Sequence, residues 1–161
     1  MKISELKNRR HGKPGFCLGT APHLNQIDLS LLKDRFAIGC NQLAMLADDL
    51  NLEYVCFQRE ERFLEFKDCL SKSKRPSFII PELFLSAESC KSMPKSLQDR
   101  IVPIHTRFAT PGHSEFFSFD LENCVYAGDS IAIEIQLAAW MGCNPIYVLG
   151  VDAEYKSPSH A

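Results

Sequence analysis

The apolar run Phe16-Cys17-Leu18, enclosed by Gly15 and Gly19, is too brief for a helix and reads as a short buried strand. The residues after this strand restrict the fold further. Gly19 offers the freedom of a sharp turn, and Pro22 ends any ladder. Thr20 and Ala21 between them are small enough to let a ligand approach the main chain. Asp28 is placed to cap a short helix over LSLLKDRF, and Phe36-Ala-Ile-Gly-Cys40 forms a second strand ending at Asn41. Strand, glycine turn, helix, strand is a parallel unit, and open α/β sheets bind ligands at the carboxyl ends of such strands. Asn41 and the Gly19 turn would then face one crevice. Neither G-x-G-x-x-G nor G-x-x-x-x-G-K-[ST] is present, so no phosphate-loop fingerprint is met.

The pattern continues down the chain. Leu43, Leu46, Ala47 and Leu50 recur at helical spacing, and Tyr54-Val-Cys-Phe57 is a third strand. REERFLEFKDCL comes next as an amphipathic helix with Phe63, Phe66 and Leu70 inward and Arg59 to Arg62 as a solvated first turn. Ser77 to Ile80 is a fourth strand closed by Pro81. Ile101-Val-Pro-Ile104 contains Pro103 and therefore belongs at a sheet edge. From His105 to Asn123 periodicity is lost, as expected of a functional loop, and His105, Arg107 and His113 offer it positive charge or a proton. Tyr126-Ala-Gly-Asp-Ser130 then leads into IAIEIQLAAWMG, a helix whose only polar residues after Ser130 are Glu134 and Gln136. Apolar nearly all round, it must be buried. Gly142 stops it, and Ile146 to Gly150 reads as a central strand with Asp152 at its carboxyl end. Gly128, Asp129 and Ser130 would present backbone N–H groups to an anion, or Asp129 caps the helix itself and repels one.

At 161 residues the chain fits one domain, residues 15–161, preceded by a basic extension over residues 1–14 read as a solvated arm. A formal charge of −2 argues against nucleic acid as a partner. No run has the ~20 apolar residues of a transmembrane segment, and no signal-peptide core is seen. Seven cysteines without a C-x-x-C pair fit a reducing, cytoplasmic location, with Cys17, Cys40 and Cys56 as small core residues and no metal site. The expected fold class is a three-layer α/β sandwich with a mostly parallel, Rossmann-like sheet.

Two blocks together resemble a known family. CLGTAPHLNQIDLSLLKDRFAIGCNQ is similar to the nucleotide-binding opening of bacterial sialyltransferases that use CMP-sialic acid, and to their relatives, the 6-hydroxymethylpterin diphosphokinase-like proteins. That family opens with a strand and a G-N-G-P-S-L turn, then a segment beginning I-D and a strand ending in C-N or V-N. AGDSIAIEIQLAAWMGCNPIYVLGVD resembles its later turn, buried helix and final strand. Thr20 stands for the family's Asn, Ala21 for its second Gly and His23 for its Ser. Gln58 stands where many relatives carry an acid.

The resemblance implies a nucleotide-dependent transferase, foremost a glycosyltransferase acting on a CMP-activated sugar and a small-molecule or glycan acceptor. Gly19, Thr20, Ala21, Pro22 and His23 would hold phosphate and ribose, Asn41 the base, and Ser130, with Gly128 and Asp129, the nucleotide from the other side. Asp152 would lie beside the reacting group and Tyr155 near the departing phosphate, with His105 and His113 as further catalytic candidates. No cofactor is required for that chemistry. A diphosphokinase would instead need Mg²⁺, with Asp129 and Asp152 as possible carboxylates, and a nucleotide-binding module without catalysis is the third alternative. Relatives continue past the final strand, which leaves a fragment, a minimal version or a non-catalytic descendant as alternatives, and turnover by this chain alone is expected to be poor.

Overall fold

The computed structural model describes residues 1–85, 93–107, 117–126 and 128–152. Six short strands, β1 (Gly15–Leu18), β2 (Ala37–Cys40), β3 (Tyr54–Cys56), β4 (Ser77–Pro81), β5 (Ile101–Ile104) and β8 (Ile146–Leu149), form one sheet. Its order is β5-β4-β3-β2-β1-β8, and every pairing is parallel. Two further strands, β6 (Thr106–Arg107) and β7 (Val125–Tyr126), pair with each other outside it. The α-helices are α1 (Glu60–Lys72), α2 (Lys95–Gln98) and α3 (Ser130–Trp140). The connections after β1 and β2 are 3₁₀ turns rather than α-helices, at Pro22–Gln26, Leu29–Leu32 and Asn41–Leu46. Asp28 caps the second of these, its Oδ1 accepting from the Ser30 N–H at 3.1 Å and the Ser30 hydroxyl at 2.6 Å. Those bonds hold its carboxyl below the usual range.

Alternation along the strands divides the core into two layers. Cys17, Ile38, Cys40, Tyr54, Cys56 and Ile79 face α3, while Leu18, Ala37, Val55, Phe78 and Ile80 face α1, α2 and the 3₁₀ turns. The three-layer α/β sandwich expected from the sequence is the observed fold. Phe63, Phe66 and Leu70 are the buried face of α1, and Pro103 sits on edge strand β5, where a missing N–H is tolerated. Helix α3 is enclosed so completely that even Glu134 and Gln136 are buried. Gln136 meets its full bonding capacity by clasping β7. Its Nε2 donates to the carbonyls of Tyr126 (2.8 Å) and Ala132 (2.9 Å), and its Oε1 accepts from the N–H groups of Tyr126 (3.0 Å) and Ser118 (2.9 Å).

Two expectations are corrected. The last strand is not central: β8 pairs with β1 alone, and Tyr147 and Val148 remain 47% and 42% exposed at that edge. Its apolar sequence resembles that of an interior strand because the β1 side and the cover from α3 already demand it. The basic N-terminal stretch is not a solvated arm. Leu6 is fully buried, the N–H groups of Asn8, Arg10 and Gly12 donate to the carbonyls of Trp140, Met141 and Gly142, and Trp140 Nε1 donates to the Ile3 carbonyl at 2.9 Å. Arg10 also pairs with Glu53. Lys2, Lys7 and Arg9 are exposed, with the Lys7 ammonium 4.4 Å over the Trp140 ring, while the backbone of this stretch seals the end of α3.

Candidate functional site

At the carboxyl edge of the sheet, the loops after β1, β2, β3 and β8 and the first turn of α3 enclose a cleft of about 1080 Å³. The chain reverses its direction of travel across the sheet between β1 and β8, the kind of switch point at which parallel sheets open a crevice. Gly19 to Pro22 line the cleft from the β1 loop, Asn41 and Gln42 continue β2, and Gln58, Arg59 and Arg62 come after β3. Asp129, Ser130 and Ile131 close it from α3, and Gly150, Val151 and Asp152 from β8. Eight of the residues expected from sequence therefore share one cavity: Gly19, Thr20, Ala21, Pro22, Asn41, Asp129, Ser130 and Asp152.

The remaining expected residues distribute differently. His23 does not line the cleft but sits beside it in the 3₁₀ turn after the β1 loop, with Nδ1 2.6 Å from Oδ1 of the cleft residue Asp152. Gly128 offers its carbonyl to Gln58 Nε2 at 3.1 Å, bridging the β3 loop to the start of α3. His105 does not reach the cleft: it lies just past β5 at the far edge, with β4, β3 and β2 between it and β1, and its nearest carboxylate is Glu82 at 3.8 Å. His113 and Tyr155 lie outside the described residues.

Asn41 adopts the left-handed conformation, φ 48°, which Asn tolerates better than most residues. That kink turns its amide toward α3, where Nδ2 lies 3.5 Å from the Ser130 hydroxyl. The two blocks of the chain thus place an amide and a hydroxyl side by side on the cleft wall, both able to donate and accept.

Gly19 is glycine for a reason different from the one its turn suggests. Its φ is not positive, but a Cβ there would lie 2.3 Å from the Gly150 carbonyl oxygen. Gly150, at φ 69°, would in turn bring a Cβ within 2.7 Å of the Gly19 carbonyl. The loops after β1 and β8 are in backbone contact. Gly19 N–H donates to Leu149 and Ala21 N–H to Gly150, at 2.8 and 2.9 Å. A phosphate cradle needs those N–H groups free, and here they join the two strands. At the start of α3, Asp129 Oδ1 accepts from the Ala132 N–H at 2.8 Å, so of the two alternatives for this residue the cap is observed. Asp129 and Asp152, the carboxylates a diphosphokinase would offer Mg²⁺, each already give one oxygen to a protein donor.

Below the cleft, Glu134 is fully buried on α3. Its Oε2 accepts from the Leu18 N–H at 2.9 Å, and its Oε1 has no partner among the described residues. Burial pushes this carboxyl well above the usual range. The thiols of Cys17, Cys40 and Cys56 surround it and are raised chiefly by burial, then by Glu134 itself. They are free, as the cysteine pattern suggested.

Sequence reading missed Arg59 and Arg62 as cleft residues, treating them as a solvated helix start, and gave Glu134 no role. The signal for the arginines was positional: residues just past the end of any parallel strand face the same crevice. Among the described residues no group of three or more His, Cys, Asp or Glu side chains is arranged to hold a metal, and no helix is long and apolar enough to cross a membrane. No family model matches the chain, and neither a curated protein nor a solved structure does.

Proposed function

We propose that this cleft binds a nucleotide and that the chain is a nucleotide-dependent transferase, with a CMP-activated sugar as the favoured donor and a hydroxyl of a small molecule or glycan as acceptor. One observation carries the reading. The two sequence blocks that resemble the CMP-sugar users, far apart in the chain, supply most of the wall of a single cleft at the switch point of a parallel sheet. Its volume, about 1080 Å³, is of the size that small-ligand sites require.

The geometry also supports a proton acceptor. Asp152 engages Nδ1 of His23, which leaves Nε2 to take a proton, the way a carboxylate orients a catalytic imidazole. In the proposed transfer the acceptor O–H gives its proton to His23 Nε2, and its oxygen bonds to the anomeric carbon. The bond from that carbon to the phosphate oxygen breaks, and CMP leaves with the electron pair. His23 was expected to hold the nucleotide, and in this reading it acts on the acceptor. The free cysteines accord with a cytoplasmic site of action.

The test is a thermal-shift series with CMP, CDP, UDP, GDP and ATP, each with and without Mg²⁺. CMP should give the largest metal-independent shift, with stabilisation of about 2.7 kcal/mol at 100 times its dissociation constant. A shift confined to ATP with Mg²⁺ would favour the diphosphokinase. Binding of CMP without release of CMP from a CMP-sugar would favour the non-catalytic module.

A further inference from the structure

Several of the donors in the cleft to which sequence would have assigned an anion are already engaged. The N–H groups of Gly19 and Ala21 are bonded to β8, and the first turn of α3 is capped by its own Asp129. The two carboxylates of the cleft are committed as well, Asp129 to Ala132 and Asp152 to His23. The cations are less so. Arg62 donates to Glu65 within α1 at 2.8 Å, and Arg59, on the same wall, has no ion-pair partner among the described residues. The positive charge of the cleft lies at one corner, where β3 passes into α1.

We infer that Arg59 and Arg62 form the anion-binding corner of the cleft and hold the phosphate of its ligand. Guanidinium groups suit this task because their fixed fork of donors matches phosphate oxygens two at a time. The exchange available to Arg62 is cheap, since an exposed ion pair within one helix contributes little and can be given up for a phosphate. The identity of the anion as a nucleotide phosphate rests on the proposed function. The corner itself does not.

Isothermal titration of the full chain separates the two. CMP, cytidine and inorganic pyrophosphate are titrated into the native protein, Arg59→Gln, Arg62→Gln, the double variant, Arg59→Lys and Lys67→Gln, the last removing an exposed charge of α1 away from the cleft. All substitutions are at exposed side chains, and circular dichroism checks the fold of each. CMP should bind about tenfold or more tighter than cytidine, and each Arg→Gln change should cost CMP and pyrophosphate about tenfold while leaving cytidine unchanged. Lys67→Gln should change nothing, and Arg59→Lys should lose part of the affinity because it keeps the charge without the fork. Pyrophosphate binding that needs the arginines, in the absence of CMP binding, would uphold the corner and overturn the nucleotide reading. CMP binding unaffected in the double variant would overturn the corner and leave that reading intact. Binding of neither would overturn both.

Discussion

Nδ1 of His23 lies 2.6 Å from Oδ1 of Asp152, a contact that ties the loop after the first strand to the loop after the last. Both side chains are partly exposed, so the pair itself contributes at most ~1 kcal/mol to stability. If it orients a base, its loss should appear in turnover instead. Asp152→Asn and His23→Gln are each expected to keep the melting temperature within a few degrees, while acceptor-dependent CMP release from CMP-sialic acid falls about 10²–10⁴-fold. Native rates in both variants would remove the pair from the mechanism.

The contact between Gly19 and Gly150 makes a second prediction, about folding rather than binding. A methyl group at residue 19 would meet the Gly150 carbonyl at 2.3 Å, and backbone cannot move aside as a side chain does. Gly19→Ala should therefore destabilise the chain by at least ~1–3 kcal/mol, the usual cost of overpacking. Gly128→Ala, with open space around the added carbon, should stay within about 0.5 kcal/mol of the native protein. Urea titrations of the two variants side by side check this, and equal midpoints would refute it.

Glu134 gives the chain a pH dependence with a definite sign. Its folded-state pKa is raised by burial, whereas in the unfolded chain it titrates near ~4.3. Between those values the folded state retains a proton that the unfolded state releases, so stability is full at low pH and falls as pH rises, by up to ~1.4 kcal/mol per unit. Glu134→Gln keeps an acceptor for the Leu18 N–H and removes the titration. The variant should gain stability over the native chain as pH rises above the unfolded-state value, measured by urea unfolding. Parallel stability curves would mean that the carboxyl is not held neutral.

Arg100 closes the far end of α1. Its guanidinium donates to the carbonyls of Leu70 (2.6 Å), Ser73 (2.8 Å) and Ser96 (3.2 Å) and lies 4.8 Å over the Phe78 ring. Those carbonyls include the unsatisfied end of the helix, where a cation also opposes the helix dipole. Arg100→Ala should cost ~2–3 kcal/mol, and Arg100→Lys should recover little of it, since one ammonium cannot span three carbonyls. A change in melting temperature of less than about 2 °C on Arg100→Ala would contradict this.

Periodicity made much of this fold legible in the sequence. The short apolar runs at 16–18, 37–40, 54–56 and 77–81 bury nearly every side chain and the apolar helix at 130–140 buries most of its own, so their pattern is the fold's own signature. Position within the sheet was less legible. Tyr147 and Val148 are as apolar as any interior residue, and only the pairing of β8 with β1 alone makes them an edge. The cleft was half visible: Asn41 and Asp152 end strands, but the commitment of Gly19 and Ala21 to β8 depends on two loops meeting across more than a hundred residues. Glu134 was visible as a polar residue in an apolar helix, yet only its burial in the fold tells a carboxyl of raised pKa from an ordinary exposed one.

The central claim is that the carboxyl-edge cleft is a nucleotide site, and amide chemical-shift mapping of the labelled 18.2 kDa chain titrated with CMP tests it directly. A nucleotide site there predicts saturable shifts concentrated at Gly19 to Ala21, Asn41, Gln58 to Arg62, Ser130 and Ile131, and Gly150 to Asp152. The absence of shifts at millimolar CMP would contradict it. So would shifts centred on the groove at the opposite edge of the sheet, beside Arg35, Asn51 and Arg75.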